Sequence, residues 1–348
     1  MKKRILVAPL NWGLGHATRC IPIVKALISE GFVPIIASDG SALQLLRKEF
    51  PNLSSIELPS YNITYAKNGK LFKLKLLKDS PKIINAIKEE KKAIKRILEL
   101  NEISGIISDN RLGVRHKNVP SIFITHQLNV LSGSTSWLST KMHLSFIKKF
   151  DACWVPDFDN VNNLSGKLSR SKQIDIPVKY IGPLSRFNKS KTKITTNLLV
   201  LLSGPEPQRT LLEEKLLMEL KSYHGSIIVV RGLMEKEQHV EVRDKITLYN
   251  FMTSEELEKT MNTSAGVLCR SGYTTVMDLA KLEKQAFFIP TPGQFEQEYL
   301  AKRFTELNIV PSCSQDEFTV KKLIDVPLYK GLTMPKETTN FKELFNLF

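Results

Sequence analysis

The chain has 348 residues, 42% of them hydrophobic and 24% charged, with a formal net charge of +15. This balance excludes a disordered chain, and the length suits two domains of about 150 to 200 residues better than one core. No apolar run reaches the roughly 18 to 20 residues of a membrane span, and MKKRILVAPLNW is broken too soon for a signal peptide, so a cytoplasmic protein is expected.

In chain order, the apolar run RILVAP reads as a strand that stops at NWGLGHATRC, before a helix over IPIVKALISEG. Gly13 and Gly15 permit close backbone approach, and the helix start at His16 to Arg19 offers amides to a phosphate or a sugar hydroxyl. The pattern G-x-G-x-x-T, with Asp39 closing the second run FVPIIAS, also satisfies a loose dinucleotide fingerprint, although Thr18 replaces its third small residue. A plain tight turn with a surface histidine is the third reading.

Further runs follow at SSIELP, ISGIISD, PSIFITH and DACWVPD. Several are apolar throughout, as strands covered on both faces are, so a parallel sheet with crossover helices is expected. The stretch 67–100, where Lys alternates with Leu, Ile and Phe, reads either as a solvated helix face or as a basic face for an anionic membrane surface. Cys20, Cys153, Cys269 and Cys313 are scattered and show no metal-ligand spacing, so reduced thiols are expected.

Gly182 and Pro183 end a strand, and a polar, Lys-rich run follows. The boundaries read from this are a first domain 1–183, a linker 184–196, a second domain 197–334 and a tail 335–348 able to pack back on the first domain. The second domain repeats the alternation: TNLLVLLSG, a helix from Pro207 to Lys221, SIIVVRG, ITLYN, a helix opening at TSEELEKTM, AGVLCRSG, another helix and AFFIP. Two doubly wound, Rossmann-like α/β domains would face each other across a cleft, with ligands just beyond the carboxyl ends of the strands.

The stretch 269–304 is the most specific. Arg270, Ser271 and Gly272 form a turn after a strand, and the helix that follows carries Thr274 and Thr275 in its first turn, which suits a diphosphate. Asp278 lies two turns on, where a carboxylate can accept two vicinal ribose hydroxyls. A Pro-braced turn through Gly293 then brings Glu296 and Gln297, whose polar atoms can hold sugar hydroxyls.

GLGH near the amino terminus together with RSGYTTVMDL and PTPGQFEQEYLA near the carboxyl terminus resembles the nucleotide-sugar glycosyltransferases of the GT-B fold, family 28 most closely. The resemblance implies a transferase that takes a sugar, N-acetylglucosamine first, from UDP. It places Ser271, Gly272, Thr274 and Thr275 against the donor diphosphate, Asp278 on the ribose, Gln297 on the sugar beside Glu296, and Phe251 and Met252 at uracil. It makes His16 the general base and, by analogy with plant-type transferases, Asp109 its partner. Arg270, and behind it Arg209 or Arg231, would stabilise the departing UDP.

LSGPEPQRT departs from the family's Gly-rich loop, so Gly204 and Arg209 keep a phosphate role while the acceptor is expected to differ. That acceptor is a glycan or a lipid-linked hydroxyl, which would make the enzyme peripheral on the inner face of the membrane. With no Asp-x-Asp motif, inverting, metal-independent transfer is expected, with the UDP-sugar as co-substrate and no cofactor. No nucleic-acid module is visible. The rival activities are a nucleotide-sugar epimerase or hydrolase on the same fold and a dinucleotide-dependent oxidoreductase.

Overall fold

The computed structural model describes residues 2–61, 72–171, 174–204, 206–335 and 339–348, with 72–80 described as backbone only. They divide into two compact units. The first takes the described residues of Met1–Ile63, Lys73–Leu184 and Lys336–Phe348, the second those of Thr64–Phe72 and Ser185–Pro335.

In the first unit the chain runs β1 (Arg4–Pro9), α1 (Gly15–Ser29), β2 (Val33–Ser38), α2 (Gly40–Glu49), β3 (Ser55–Glu57), α3 (Phe72–Leu100), β4 (Ile103–Asp109), β5 (Ser121–Ile124), α4 (Ser136–Ile147), β6 (Ala152–Val155) and β7 (Val178–Tyr180). The seven strands form one parallel sheet in the order β3-β2-β1-β4-β5-β6-β7. Ile5 to Ala8 are wholly buried, which is why RILVAP shows no alternation. From residue 81 onward α3 turns Ile87, Ile94 and Ile97 inward and Lys88, Lys91 and Lys95 outward, the solvated-face reading of that half of the stretch. The other half of the basic segment lies outside the described side chains.

The second unit begins with β8 (Thr196–Leu201) and α5 (Gln208–Glu219), then β9 (Ile227–Val230), β10 (Val240–Arg243), β11 (Ile246–Tyr249), α6 (Ser254–Thr263), β12 (Ser264–Cys269), α7 (Tyr273–Leu282), β13 (Gln285–Phe288) and α8 (Phe295–Glu306). Its sheet order is β10-β11-β9-β8-β12-β13, parallel except for β10. β10 is the strand that apolar periodicity overlooks: VEVR is exposed at every position on the sheet edge. α9 (Phe341–Phe345) closes the chain against the first unit, with the Phe345 ring 5.7 Å from Phe32 and 6.3 Å from Trp154.

Both sheets reverse direction beside their first strand. In the first unit the chain winds from β1 to β3 on one side, then crosses through α3 to β4 on the other, which pairs Pro9 with Asp109. In the second the reversal falls between β8 and β12, pairing Leu201 with Cys269, and β13 adds Phe288 beside Cys269. Such reversals leave an open crevice at the carboxyl ends of the strands, where ligands of doubly wound sheets bind.

Candidate active site

In the first unit, β1 leads into a turn at Gly13, whose φ of +76° is the left-handed conformation that glycine adopts without strain. α1 starts at Gly15, so His16 projects from its first turn towards the end of β4. There its Nδ1 lies 2.8 Å from Asp109 Oδ1. The same Nδ1 also lies 2.9 Å from Arg19 Nη2, a donor; in the tautomer that carries its proton on Nδ1 and donates to the carboxylate, Nε2 keeps its lone pair. Asp109 is wholly buried and also accepts from Nε and Nη2 of Arg19, one turn further along α1. Nη1 of Arg19 lies 3.1 Å from Nδ1 of the buried His126.

Burial alone would raise the Asp109 pKa, but Arg19 and His16 more than offset it and hold the carboxyl well below its usual range. For His16, burial and the Arg19 charge together outweigh the attraction of Asp109 and keep the imidazole below its ordinary 6.5. Asn110, immediately after Asp109, has a φ of 59°, the left-handed conformation that asparagine adopts more readily than most residues. Arg19 was absent from the sequence candidates. Its signal was the three-residue spacing from His16, which gains meaning only once β4 lies beside β1.

The same geometry weighs against the dinucleotide rival. Asp39, its ribose ligand, is buried and accepts from Arg111 Nη1 at 2.6 Å and from Asn11 Nδ2 at 3.1 Å. Arg111 also donates to Glu90 Oε1 at 2.7 Å, and Glu90 Oε2 accepts from Tyr61 and from the Gly113 amide, both at 2.8 Å. This buried network ties α3 to the loops after β2 and β4. Its carboxylates are committed to the scaffold.

In the second unit, the ends of β8, β12 and β13 bring most of the expected donor residues together. Gly272 precedes α7 with no side-chain cap, so the helix turns its positive end to the loop. Ser271 Oγ donates to the Gln297 carbonyl at 2.8 Å, locking this turn to the start of α8. Gln297 itself is buried. Its Oε1 accepts from the Thr291 amide at 2.8 Å, so its NH2 group, on the Gly272 side, is what it can offer a ligand. Thr274, Thr275 and Glu296 are half-buried nearby on α7 and α8. Gly293, with φ +78°, is held by Glu298, whose Oε1 accepts its amide at 2.8 Å, a role that sequence reasoning missed.

Asp278 is buried, and burial raises its pKa to about 6 despite Arg186 and a 2.7 Å hydrogen bond from Ser185 Oγ. A buried carboxylate with this one hydrogen bond has acceptor capacity left for hydroxyl groups. Phe251 and Met252 are buried beside α6. The Phe251 amide donates to Asn250 Oδ1 and its carbonyl accepts from Gln238, each at 3.0 Å, so the Met252 main chain is the better placed to read a base.

Two expectations change. Arg209 contacts Glu206 and Glu213, both at 2.6 Å, and Arg231 also pairs with Glu213, so both guanidinium groups are already matched by carboxylates. Arg270 is wholly buried on neutral acceptors, away from direct phosphate contact. Gly204, with φ +98°, keeps the turn after β8 open to close approach. Among the described residues, no group of three His, Cys, Asp or Glu is arranged to hold a metal ion.

Residues 208–343 match the glycosyltransferase family 28 C-terminal domain. The chain carries this domain and is a glycosyltransferase. An uncharacterized glycosyltransferase of Methanopyrus kandleri is 23% identical over 333 residues, 90% of each chain. The UDP-N-acetylglucosamine--N-acetylmuramyl-(pentapeptide) pyrophosphoryl-undecaprenol N-acetylglucosamine transferase of Clostridium botulinum is 23% identical over 287 residues, 79% of this chain and 75% of that one. Among solved structures, Acinetobacter baumannii MurG aligns with a TM-score of 0.52 at 16% identity, covering 95% and 93% of the two chains. The kitacinnamycin glycotransferase aligns with a TM-score of 0.62 at 10% identity, covering 94% and 90%. These likenesses give the glycosyltransferase the GT-B fold that its motifs resemble.

Proposed function

We propose that this glycosyltransferase moves a sugar, N-acetylglucosamine first, from a UDP-sugar to a hydroxyl acceptor, with inversion and without a metal ion. The contact between His16 and Asp109 carries the reading, because the tautomer that donates from Nδ1 to the carboxylate has a basic Nε2 in the first turn of a glycine-led helix. Nε2 takes the acceptor proton as the acceptor oxygen bonds to the anomeric carbon. The bond from that carbon to UDP breaks, and its electron pair leaves on the β-phosphate oxygen. Displacement from the face opposite the leaving group inverts the configuration.

On the donor side, Asp278 would accept the ribose hydroxyls, the amino end of α7 with Thr274 and Thr275 would face the diphosphate, and Gln297 with Glu296 would hold the sugar. The uridine and N-acetylglucosamine choice is supported by the name of the Clostridium botulinum relative. The acceptor is a glycan or a lipid-linked hydroxyl. The prolines of LSGPEPQRT favour one unlike the muramyl intermediate of that relative.

An anionic membrane surface is the proposed site of work. Trp137, Leu138 and Met142 of α4 are 69%, 52% and 60% exposed, and Lys141 and Lys149 lie exposed along the same segment. Apolar anchors among lysines suit attachment to acidic lipid. Among the described residues no helix is long and apolar enough to cross a membrane.

A thermal-shift screen of UDP, GDP, TDP and NAD tests the class. Stabilisation by UDP and its sugars is expected. Stabilisation by NAD with none by UDP would reject the transferase reading in favour of redox chemistry.

A further inference from the structure

Four arginines are buried in the described structure, and three sit on carboxylates. Arg19 is paired with Asp109, Arg111 with Asp39 and Glu90, and Arg209 with Glu213. Arg270 is the exception. Its Nη1 donates to the carbonyls of Ile289 at 3.2 Å and Pro290 at 3.0 Å, and its Nη2 to the Gln208 carbonyl at 2.9 Å and to Gln315 Oε1 at 2.8 Å. Every one of these partners is neutral, and Nε has none. Burial, unopposed by any nearby carboxylate, brings the guanidinium pKa down to about 9.

A buried cation without a counter-charge is costly, so folds seldom keep one idle. This one is fixed where β8, β12 and β13 end. Gln208 opens the helix after β8, Arg270 follows β12, and Ile289 and Pro290 follow β13. Ser271 and Gly272, the turn expected against the diphosphate, come next in the chain, and the uncapped amino end of the ten-residue α7 adds its own positive potential there. The missing negative charge is therefore expected at that turn.

We propose that Arg270 is an electrostatic positioning residue: a guanidinium held by carbonyls of the segments after β8 and β13 and by the Gln315 side chain supplies the fixed positive charge for the donor's diphosphate without touching it. The proposal rests on the nucleotide-sugar reading of the second unit. It differs from the direct contact that sequence resemblance implies.

The test separates charge from scaffolding. Gln315→Glu places a carboxylate on Nη2 and cancels the charge while keeping the hydrogen bond; Arg270→Lys keeps the charge and loses part of the carbonyl network. Dissociation constants of UDP and of uncharged uridine are measured for the intact chain by calorimetry. The expected result is that Gln315→Glu weakens UDP about tenfold with uridine nearly unchanged, whereas Arg270→Lys preserves the ratio of the two affinities. An unchanged ratio in Gln315→Glu, or a ratio lost only in Arg270→Lys, would overturn the electrostatic role. A wild-type chain that binds neither ligand would instead reject the nucleotide reading on which the proposal rests. Should the donor screen favour another base, that nucleoside and its diphosphate replace the pair.

Discussion

Asp109 is an acceptor for His16 Nδ1 and the counter-charge of Arg19 at once, and each function is testable at the level of the single residue. His16→Ala should lower turnover, measured as transfer or as slow donor hydrolysis, by about 10²- to 10⁴-fold while leaving the UDP dissociation constant unchanged. Equal losses in both would make His16 a binding residue. Because burial and Arg19 keep the imidazole below its ordinary value, turnover should stay level as pH falls from 8 towards 6.5 and decline only further down. Asp278 has the opposite linkage to an ordinary paired carboxylate. Its folded pKa is raised, so the stability it contributes is fully present below its unfolded value and is lost as pH rises through about 6. Asp278→Asn should therefore stabilise the ligand-free protein by on the order of 2 kcal/mol at pH 8 and by less at pH 5. Denaturation midpoints at the two pH values check this. His16 and Asp278 stand in motifs and were legible from the residues alone. Arg19 and Ser185 were not, since each acquires its partner only when distant strands or segments fold together.

At the scale of elements, the alternation of apolar runs and helical periods marked most of both sheets. β10 escaped because VEVR alternates over only four residues, all of them exposed, too short a run to stand out. The segment 184–196, polar enough to read as a free linker, is bound to the second unit: Ser185 on Asp278, Arg186 on Ser254, and the Asn188 and Ser190 amides on Glu258 and Asn262. Composition reports polarity, and polarity does not distinguish solvent from a hydrogen-bonding neighbour. The last residues are equally engaged. The Phe348 ring occupies the space a side chain at Gly105 of β4 would need, and Lys3 donates to the Phe348 carbonyl. Phe345→Ala should cost the first unit about 3 to 5 kcal/mol. Gly105→Ala should destabilise it too, by forcing the Phe348 ring aside. A chemical-denaturation midpoint unmoved by either change would show that the tail packing adds little.

For the whole molecule, the +15 charge narrows the partners without naming one. If α4 and its lysines meet an anionic surface, the chain should sediment with phosphatidylglycerol vesicles, less so at high salt, and Trp137→Ser with Leu138→Ser should reduce that binding severalfold. Binding unaffected by the pair would move the contact elsewhere. Neither charge nor fold identifies the acceptor, because the GT-B architecture is shared by transferases with very different acceptors, while the donor residues are gathered within one sheet. The donor half is accordingly where the functional claim is sharpest. The most direct measurement is a calorimetric titration of UDP into the intact wild-type chain and into Asp278→Ala. Saturable binding to the wild type, weakened about tenfold or more by the substitution, is expected from the loss of hydrogen bonds to a buried carboxylate. UDP that does not bind, or that binds both proteins equally, would contradict the assignment of the second unit to the nucleotide-sugar donor.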